Sequence, residues 1–265
     1  MSGETVVRAQ GITRSFGNVE VLHGIDLTLH SGEIVALVGR SGSGKSTLLR
    51  ALARLLPPSQ GTVLLDEKPI SAQPSRHVAR RLALLPQAQT MPEGLRVRDL
   101  VARGRFPHQT FFRRWSDADE EAVAKALAVT DTSDIADRLV DQLSGGQRQR
   151  VWIATMLAQD TPIVLLDEPT TFLDLTHQIE VLELCDGLRR EGRTVVAVLH
   201  DLGLAARYAT HMVAMSNGQI SAQGTPAEVV TPEVIRDTFG LECLVINDPI
   251  TGTPLVVPGR SQQLP

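Results

Sequence analysis

Cysteine is scarce in this chain: Cys185 and Cys243 are the only two among 265 residues. Two thiols cannot build the disulfide framework of a small secreted domain. The expectation is a pair of small buried hydrophobes in a reducing compartment. A basic excess is missing as well. Lys and Arg together number 26 against 30 Asp and Glu, a net charge of −4, so there is no electrostatic footprint for a nucleic acid. Lysine occurs only at Lys45, Lys68 and Lys125, a bias from which no function follows. No apolar run approaches the ~18 residues of a membrane span. The opening MSGETVVRAQG lacks the apolar stretch of a secretory signal. The expected place is therefore the cytosol, either free or docked onto something in the membrane. Internal repeats and low-complexity tracts are absent, and His23, His30, His77, His108, His177 and His211 show no metal-ligand clustering.

What is present is core-forming sequence. Hydrophobic residues make up 42 %, and the length suits one large α/β domain with a small insert. Residues 34–38, IVALV, read as a buried strand. KSTLLRALARLL at 45–56 reads as a helix stopped by Pro57 and Pro58. Strand-type runs follow at 62–66 and 82–85. Between 87 and 160 they give way to helical patterns at 97–103, 117–129 and 146–159. Strands return at 163–166 and 194–199, around a helix near 176–190. SNGQI at 216–220 is a hairpin signal, because Asn-Gly suits a type I′ turn. Alternation of this kind predicts a largely parallel sheet with helices on its faces. The predicted organisation is a core of 1–86 and 161–225, a helical insert at 87–160, and a tail of about 40 residues from 226, below the ~50 of an ordinary domain.

Three stretches carry chemistry. GRSGSGKST at 39–47 fits the phosphate-binding loop G-x-x-x-x-G-K-[ST] and sits between strand and helix as that motif requires. Gly39, Gly42 and Gly44 let the backbone of Arg40, Ser41 and Ser43 wrap phosphate oxygens, and the helix opening at Lys45, Ser46 and Thr47 aims free N–H groups at the same place. Lys45 adds charge toward the β- and γ-phosphates, and Ser46 offers a hydroxyl to Mg²⁺. PIVLLDE at 162–168 ends an apolar strand in two acids. Asp167 suits Mg²⁺ and Glu168 suits an attacking water, since adjacent carboxylates repel and invite a compensating cation. LSGGQ at 143–147 places Ser144, Gly145, Gly146 and Gln147 at a helix start that attracts anions. Ser144 also serves there as an ordinary N-cap.

LSGGQRQRVWIA at 143–154, LLDEPT at 165–170 and the upstream Lys45 together resemble the nucleotide-binding subunit of ABC transporters over nearly the whole chain. The resemblance implies a P-loop NTPase core with a mostly parallel sheet, an antiparallel β region near the N-terminus and an inserted helical subdomain. It implies ATP and Mg²⁺ as cofactors and a head-to-tail pair in which each ATP lies between the loop of one chain and the LSGGQ of the other. By the same resemblance, Phe16 stacks on adenine, Gln87 links Mg²⁺ to the helical insert, and His200 contacts the γ-phosphate and orients Glu168. Asp174 signals across the pair. Phe172 stands where many members carry a small residue.

One loop and one signature imply a pair of copies, or a copy with a sister ATPase, serving a separate membrane permease and, indirectly, a substrate-binding protein. VRDLVARGRFPHQ at 97–109, the stretch 152–184 and GTPLVVP at 252–258 resemble ATPases of iron(III)-siderophore importers; haem and cobalamin importers belong to the same wider group. A soluble ABC ATPase of the DNA-repair type is the rival class. The insert, without heptads or a cysteine cluster, argues against it. Intact Glu168 and His200 argue against a non-catalytic scaffold. Four of nine aromatics, Phe106, Phe111, Phe112 and Trp115, fall within 106–115. They form either a groove that receives a permease helix or the small core of the insert.

Overall fold

The computed structural model describes residues 3–87, 92–109, 115–171 and 173–259. The chain begins with β1 (Thr5–Phe16), β2 (Val19–His30), β3 (Ile34–Gly39), α1 (Lys45–Leu52), β4 (Gln60–Leu65) and the short β5 (Lys68–Pro69). Next come α2 (Ser75–Arg81), β6 (Leu82–Leu85), α3 (Val97–Ala102), α4 (Asp117–Val129), α5 (Gly145–Ala158) and β7 (Ile163–Asp167). Then follow α6 (Leu175–Arg190), β8 (Thr194–Val198), α7 (Leu202–Tyr208), β9 (His211–Ser216) and β10 (Gln219–Gly224). The last described elements are α8 (Pro226–Val229), α9 (Pro232–Phe239), β11 (Cys243–Asn247) and β12 (Pro254–Pro258). Two compact units emerge, one from residues 3–72 with 185–259 and one from 73–184.

The first unit holds parallel strands. β3 pairs with β8 on one side, Ile34 opposite Val195, and with β9 on the other, Leu37 opposite Val213. Every residue of β3 and β8 is buried, as their unbroken apolar runs require. β9 turns into β10 through Asn217 and Gly218, whose φ angles of 48° and 74° give the type I′ geometry that Asn-Gly favours. A separate antiparallel sheet runs in the order β2-β1-β4-β5. It buries Ile12, Leu22, Ile25, Leu29 and Leu65, and α1 lies against β1, β2 and β3.

Helix α1 ends four residues earlier than its apolar pattern suggested, at Leu52, before either proline. The stop is a backbone device. Arg54 takes φ 61°, its N–H donates to the Ala51 carbonyl, and the Leu55 N–H reaches back to Arg50. This is the Schellman arrangement with arginine where glycine is usual.

The segment from 226 folds as well. Thr225 and Glu228 form a capping box for α8, and Thr231 Oγ1 caps α9. β11 and β12 pair from Cys243 opposite Pro258 to Asn247 opposite Pro254. Arg207 on α7 binds Asp248 in the intervening turn at 2.6 Å. The Ile250 N–H and that guanidinium hold the Asp248 carboxyl down to about 2. Both cysteines are free and buried, and burial pushes the Cys185 thiol up to about 12.

The second unit pairs β6 with β7 in parallel, Leu82 opposite Ile163 and Leu85 opposite Leu166. Its helical part is closed by aliphatic side chains, among them Val97, Leu100, Val123, Leu127, Val140 and Val151. α4 starts on a capping box of Ser116 and Asp119. Asp119 also receives Arg105 Nε at 2.8 Å, while Arg105 Nη1 donates to the Ala158 carbonyl. Burial alone would raise the Asp119 pKa; the bonds from Arg105 and Ser116 outweigh it and hold the carboxyl below its ordinary range.

Candidate functional site

In the first unit, the loop between β3 and α1 has the shape its glycines predict. Gly39 sits at φ 146°, and a Cβ there would lie 2.2 Å from the Met215 carbonyl oxygen. Gly44, at φ 99°, would drive a Cβ to 2.9 Å from Leu22 and 3.1 Å from the Val21 carbonyl. Only glycine satisfies both the backbone and the space. Lys45 is 4 % exposed. Its ammonium donates to the Gly39 and Arg40 carbonyls, each at 2.9 Å, and to Ser43 Oγ at 3.4 Å. Arg40, Ser41 and Gly42 lie on the exposed outer turn, whereas Ser46 and Thr47 are half-buried at the helix start.

The sequence did not announce a brace beneath this loop. Gly218 of the β9–β10 turn donates its N–H to the Ser43 carbonyl at 3.2 Å, and its own carbonyl accepts from the His23 N–H at 2.9 Å. The hairpin signal thus has a place in the site. It props the cradle against β2.

Phe16 closes β1 at the tip of the β1–β2 hairpin, opposite Val19, and is 48 % exposed. His200 stands exposed between β8 and α7, next to Asp201, whose carboxylate caps α7 by accepting from the Leu204 N–H at 2.8 Å.

The second unit carries the acids and the signature. Asp167 is the buried last residue of β7. Glu168 follows at φ 55°, a left-handed conformation rare outside glycine. Its Oε2 accepts from Gln87 Nε2 at 2.8 Å and from Thr171 Oγ1 at 3.0 Å. Gln87, placed only by its position after β6, therefore touches the second acid directly. Thr171 drew no attention in the sequence.

A further link joins the signature helix to this corner: Gln149 Nε2 on α5 donates to the Pro169 carbonyl at 3.0 Å. Asp174 precedes α6 and accepts from the His177 N–H at 3.0 Å and from His177 Nδ1 at 2.7 Å. The His177 N–H and ring hold the Asp174 carboxyl below its ordinary range. Phe172 lies outside the described residues.

Ser144 is the N-cap of α5, as read. Its Oγ accepts from the Gln147 N–H at 3.3 Å, and Gln147 Oε1 accepts from the Ser144 N–H at 3.1 Å, a complete capping box. The two glycines behave differently from those of the cradle. Neither Gly145 nor Gly146 has a positive φ, and a Cβ at either would meet nothing within 4 Å. Among the described residues no packing demands glycine there, although glycine costs a helix up to about 1 kcal/mol relative to alanine.

The model of the family described as "ABC transporter" matches residues 22–171. The chain belongs to the ABC transporter family. It is 52 % identical over 262 residues to the ferric enterobactin transport ATP-binding protein FepC of Escherichia coli, covering 97 % of each. To the petrobactin import ATP-binding protein FpuD of Bacillus anthracis it is 51 % identical over 256 residues, covering 96 % of this chain and 94 % of that one. A solved chain of a metal-chelate type ABC transporter in an inward-facing conformation superposes with TM-score 0.84 at 26 % identity, across 98 % of this chain and all of that one. The α/β core, the antiparallel strands and the helical part are those of an ABC ATPase. The protein binds ATP and hydrolyses it in the service of transport. Among the described residues no helix is long and apolar enough to cross a membrane.

The aromatic stretch resolves in part. Phe106 is 70 % exposed and Trp115 44 % exposed, so neither belongs to the aliphatic core of the helical part. Phe111 and Phe112 lie outside the described residues. Phe106 instead lines a groove of about 540 Å³ with Leu84, Pro92, Pro107, Trp152 and Met156. Arg80 Nε holds the Pro107 carbonyl at 2.8 Å, and His108 Nε2 lies 2.7 Å from the Gln159 carbonyl oxygen. The rim is thus tethered at the two residues that follow Phe106.

Proposed function

We propose that this chain binds ATP with Mg²⁺ in the 39–47 cradle and, paired with a second copy at the cytoplasmic face of the membrane, drives a separate permease that imports a ferric siderophore. The observation that carries the paired arrangement is the open space in front of Gly145 and Gly146. Two helix-weakening residues kept without an internal reason suit the close approach of an outside group. A helix N-terminus selects an anion, and the chain's own phosphate loop is a different element. A second copy's γ-phosphate meets both conditions.

In this reading Lys45 exchanges loop carbonyls for the β- and γ-phosphate oxygens, and Phe16 receives the adenine. Ser46, Asp167 and Gln87 would hold Mg²⁺. These are hard oxygen donors, and Mg²⁺ bound to phosphates needs only one or two carboxylates. Mg²⁺ neutralises charge on the phosphates when bound. Glu168, its carboxylate steadied by Gln87 and Thr171, accepts a proton from the water that attacks the γ-phosphorus as the bond to the ADP oxygen breaks. His200 orients the γ-phosphate, and Asp174 answers the other copy.

The two-sided role of α5 predicts opposite effects from one substitution. Gly146→Ala stabilises the isolated chain by up to about 1 kcal/mol, a rise of about 2–4 °C in thermal midpoint for a chain of this size. The same change weakens ATP-dependent pairing. Calorimetric melting without nucleotide and sizing with ATP read the two effects.

The groove beside Phe106 is proposed as the seat of a permease helix, the substrate-binding protein acting on the far side of that permease. Phe106→Ser should leave melting and ATP binding unchanged and reduce co-purification with the permease at least about tenfold, as loss of an aromatic anchor does. Undiminished co-purification would remove Phe106 from the interface.

The siderophore reading rests on near-full-length identity to relatives named for ferric enterobactin transport and petrobactin import. Uptake of radioiron-labelled ferric siderophores in source cells lacking this chain, set beside haem and cobalamin uptake, tests it. Loss of haem or cobalamin uptake alone would transfer the cargo to those groups.

A further inference from the structure

We propose that Arg14 is a positioning residue for the adenine-binding ring: it fixes Phe16 in advance, so that the base stacks on a platform already held in place. This rests on the reading that Phe16 receives adenine.

The guanidinium carbon of Arg14 lies 4.9 Å from the centroid of the Phe16 ring, within the range of cation–π attraction. The same guanidinium donates from Nη1 to the Pro57 carbonyl at 2.8 Å. Its Nε is buried and lacks a hydrogen-bond partner among the described residues.

The tether leads to the cradle. Pro57 follows the Schellman turn that ends α1, the helix that opens at Lys45. Two more bonds fasten the hairpin tip to the same connection: Ser15 N–H to Ser59 Oγ at 3.1 Å and Ser59 N–H to the Thr13 carbonyl at 2.8 Å. On the other strand, Val21 and Leu22 press on Gly44, only two and three residues from Val19 at the tip. The hairpin tip is therefore tied by β1 to the connection after α1 and lies by β2 against Gly44 of the phosphate loop. Phe16 and Val19, 48 % and 64 % exposed, leave apolar surface open for a base. A ring that keeps one rotamer in the empty protein loses less freedom when the base arrives.

Equilibrium titration of the full chain with ATP, and with inorganic tripolyphosphate as a ligand without a base, tests the inference. Arg14→Ala should weaken ATP binding about fivefold, the size of a lost cation–π and ordering contribution, and leave tripolyphosphate binding unchanged. Arg14→Lys should recover part of the loss. Arg14→Gln keeps a hydrogen bond to Pro57 without the charge, guards against a merely unfolded variant, and should behave like alanine. Phe16→Ala should weaken ATP binding more, and the double variant no further than Phe16→Ala alone.

Normal ATP binding by Arg14→Ala and Arg14→Gln beside a weakened Phe16→Ala would overturn the role of Arg14 and leave the Phe16 reading standing. Equal losses for ATP and tripolyphosphate, or additive losses in the double variant, would overturn it too. Normal ATP binding by Phe16→Ala would remove the adenine platform itself.

Discussion

Lys45→Ala abolishes ATP binding while the chain stays folded. Two charge-assisted hydrogen bonds from one ammonium to phosphate oxygens contribute roughly 3–6 kcal/mol together, so the affinity falls by about two to four decades. The fold survives because Lys45, although buried, serves polar groups of its own loop rather than packing in the apolar core. What it releases are the Gly39 and Arg40 carbonyls and Ser43 Oγ, and the outer turn at Arg40 is open to water. Titration calorimetry with ATP reads the affinity, and circular dichroism melting reads the fold. A variant with near-native affinity would detach the 39–47 loop from nucleotide binding.

Glu168→Gln is expected to lower ATP turnover by about 10²–10⁴, the usual worth of a general base, and to make an ATP-bound pair of chains accumulate. The substitution is close to isosteric. Glutamine at 168 keeps one oxygen to accept from Gln87 or Thr171 and inherits the same φ of 55°, so the geometry persists while the base is gone. With hydrolysis blocked, ATP continues to hold the copies together by mass action. Loss of two bonds from Ser144 and Gly146 to the γ-phosphate would cost roughly 3–6 kcal/mol per site. That is enough to separate the pair in the wild-type chain after cleavage. Sizing in saturating ATP and Mg²⁺ distinguishes the outcomes: a purely monomeric Glu168→Gln chain contradicts the paired reading, and unchanged turnover removes Glu168 as the base.

Much of this site could be read before any coordinates because its devices are local. The cradle, the signature cap and the Asn-Gly turn each occupy a few consecutive residues whose backbone demands show in residue type. α4 runs over Asp117–Val129, the span its pattern indicates.

Two kinds of feature stayed hidden. The end of α1 depends on Arg54 adopting a conformation that usually signals glycine, so the prolines drew the boundary too far. The 226–258 stretch gave only short apolar runs bounded by proline. Its hairpin becomes visible when Cys243–Asn247 and Pro254–Pro258 are paired. The remaining misses are contacts between distant residues: Arg14 with Pro57, Gly218 with Ser43, Gln149 with Pro169. Periodicity carries no information about which carbonyl a distant side chain will find.

The capping box at Ser144 bears on how reversibly the proposed pair could close. A serine hydroxyl accepts and donates at once, so the oxygen occupied by the Gln147 N–H still has a hydrogen to turn outward. In the proposed pair, engaging a phosphate of the other copy would therefore unravel no turn of α5, and its departure would leave no frayed end to rebuild, so the helix start could open and close reversibly.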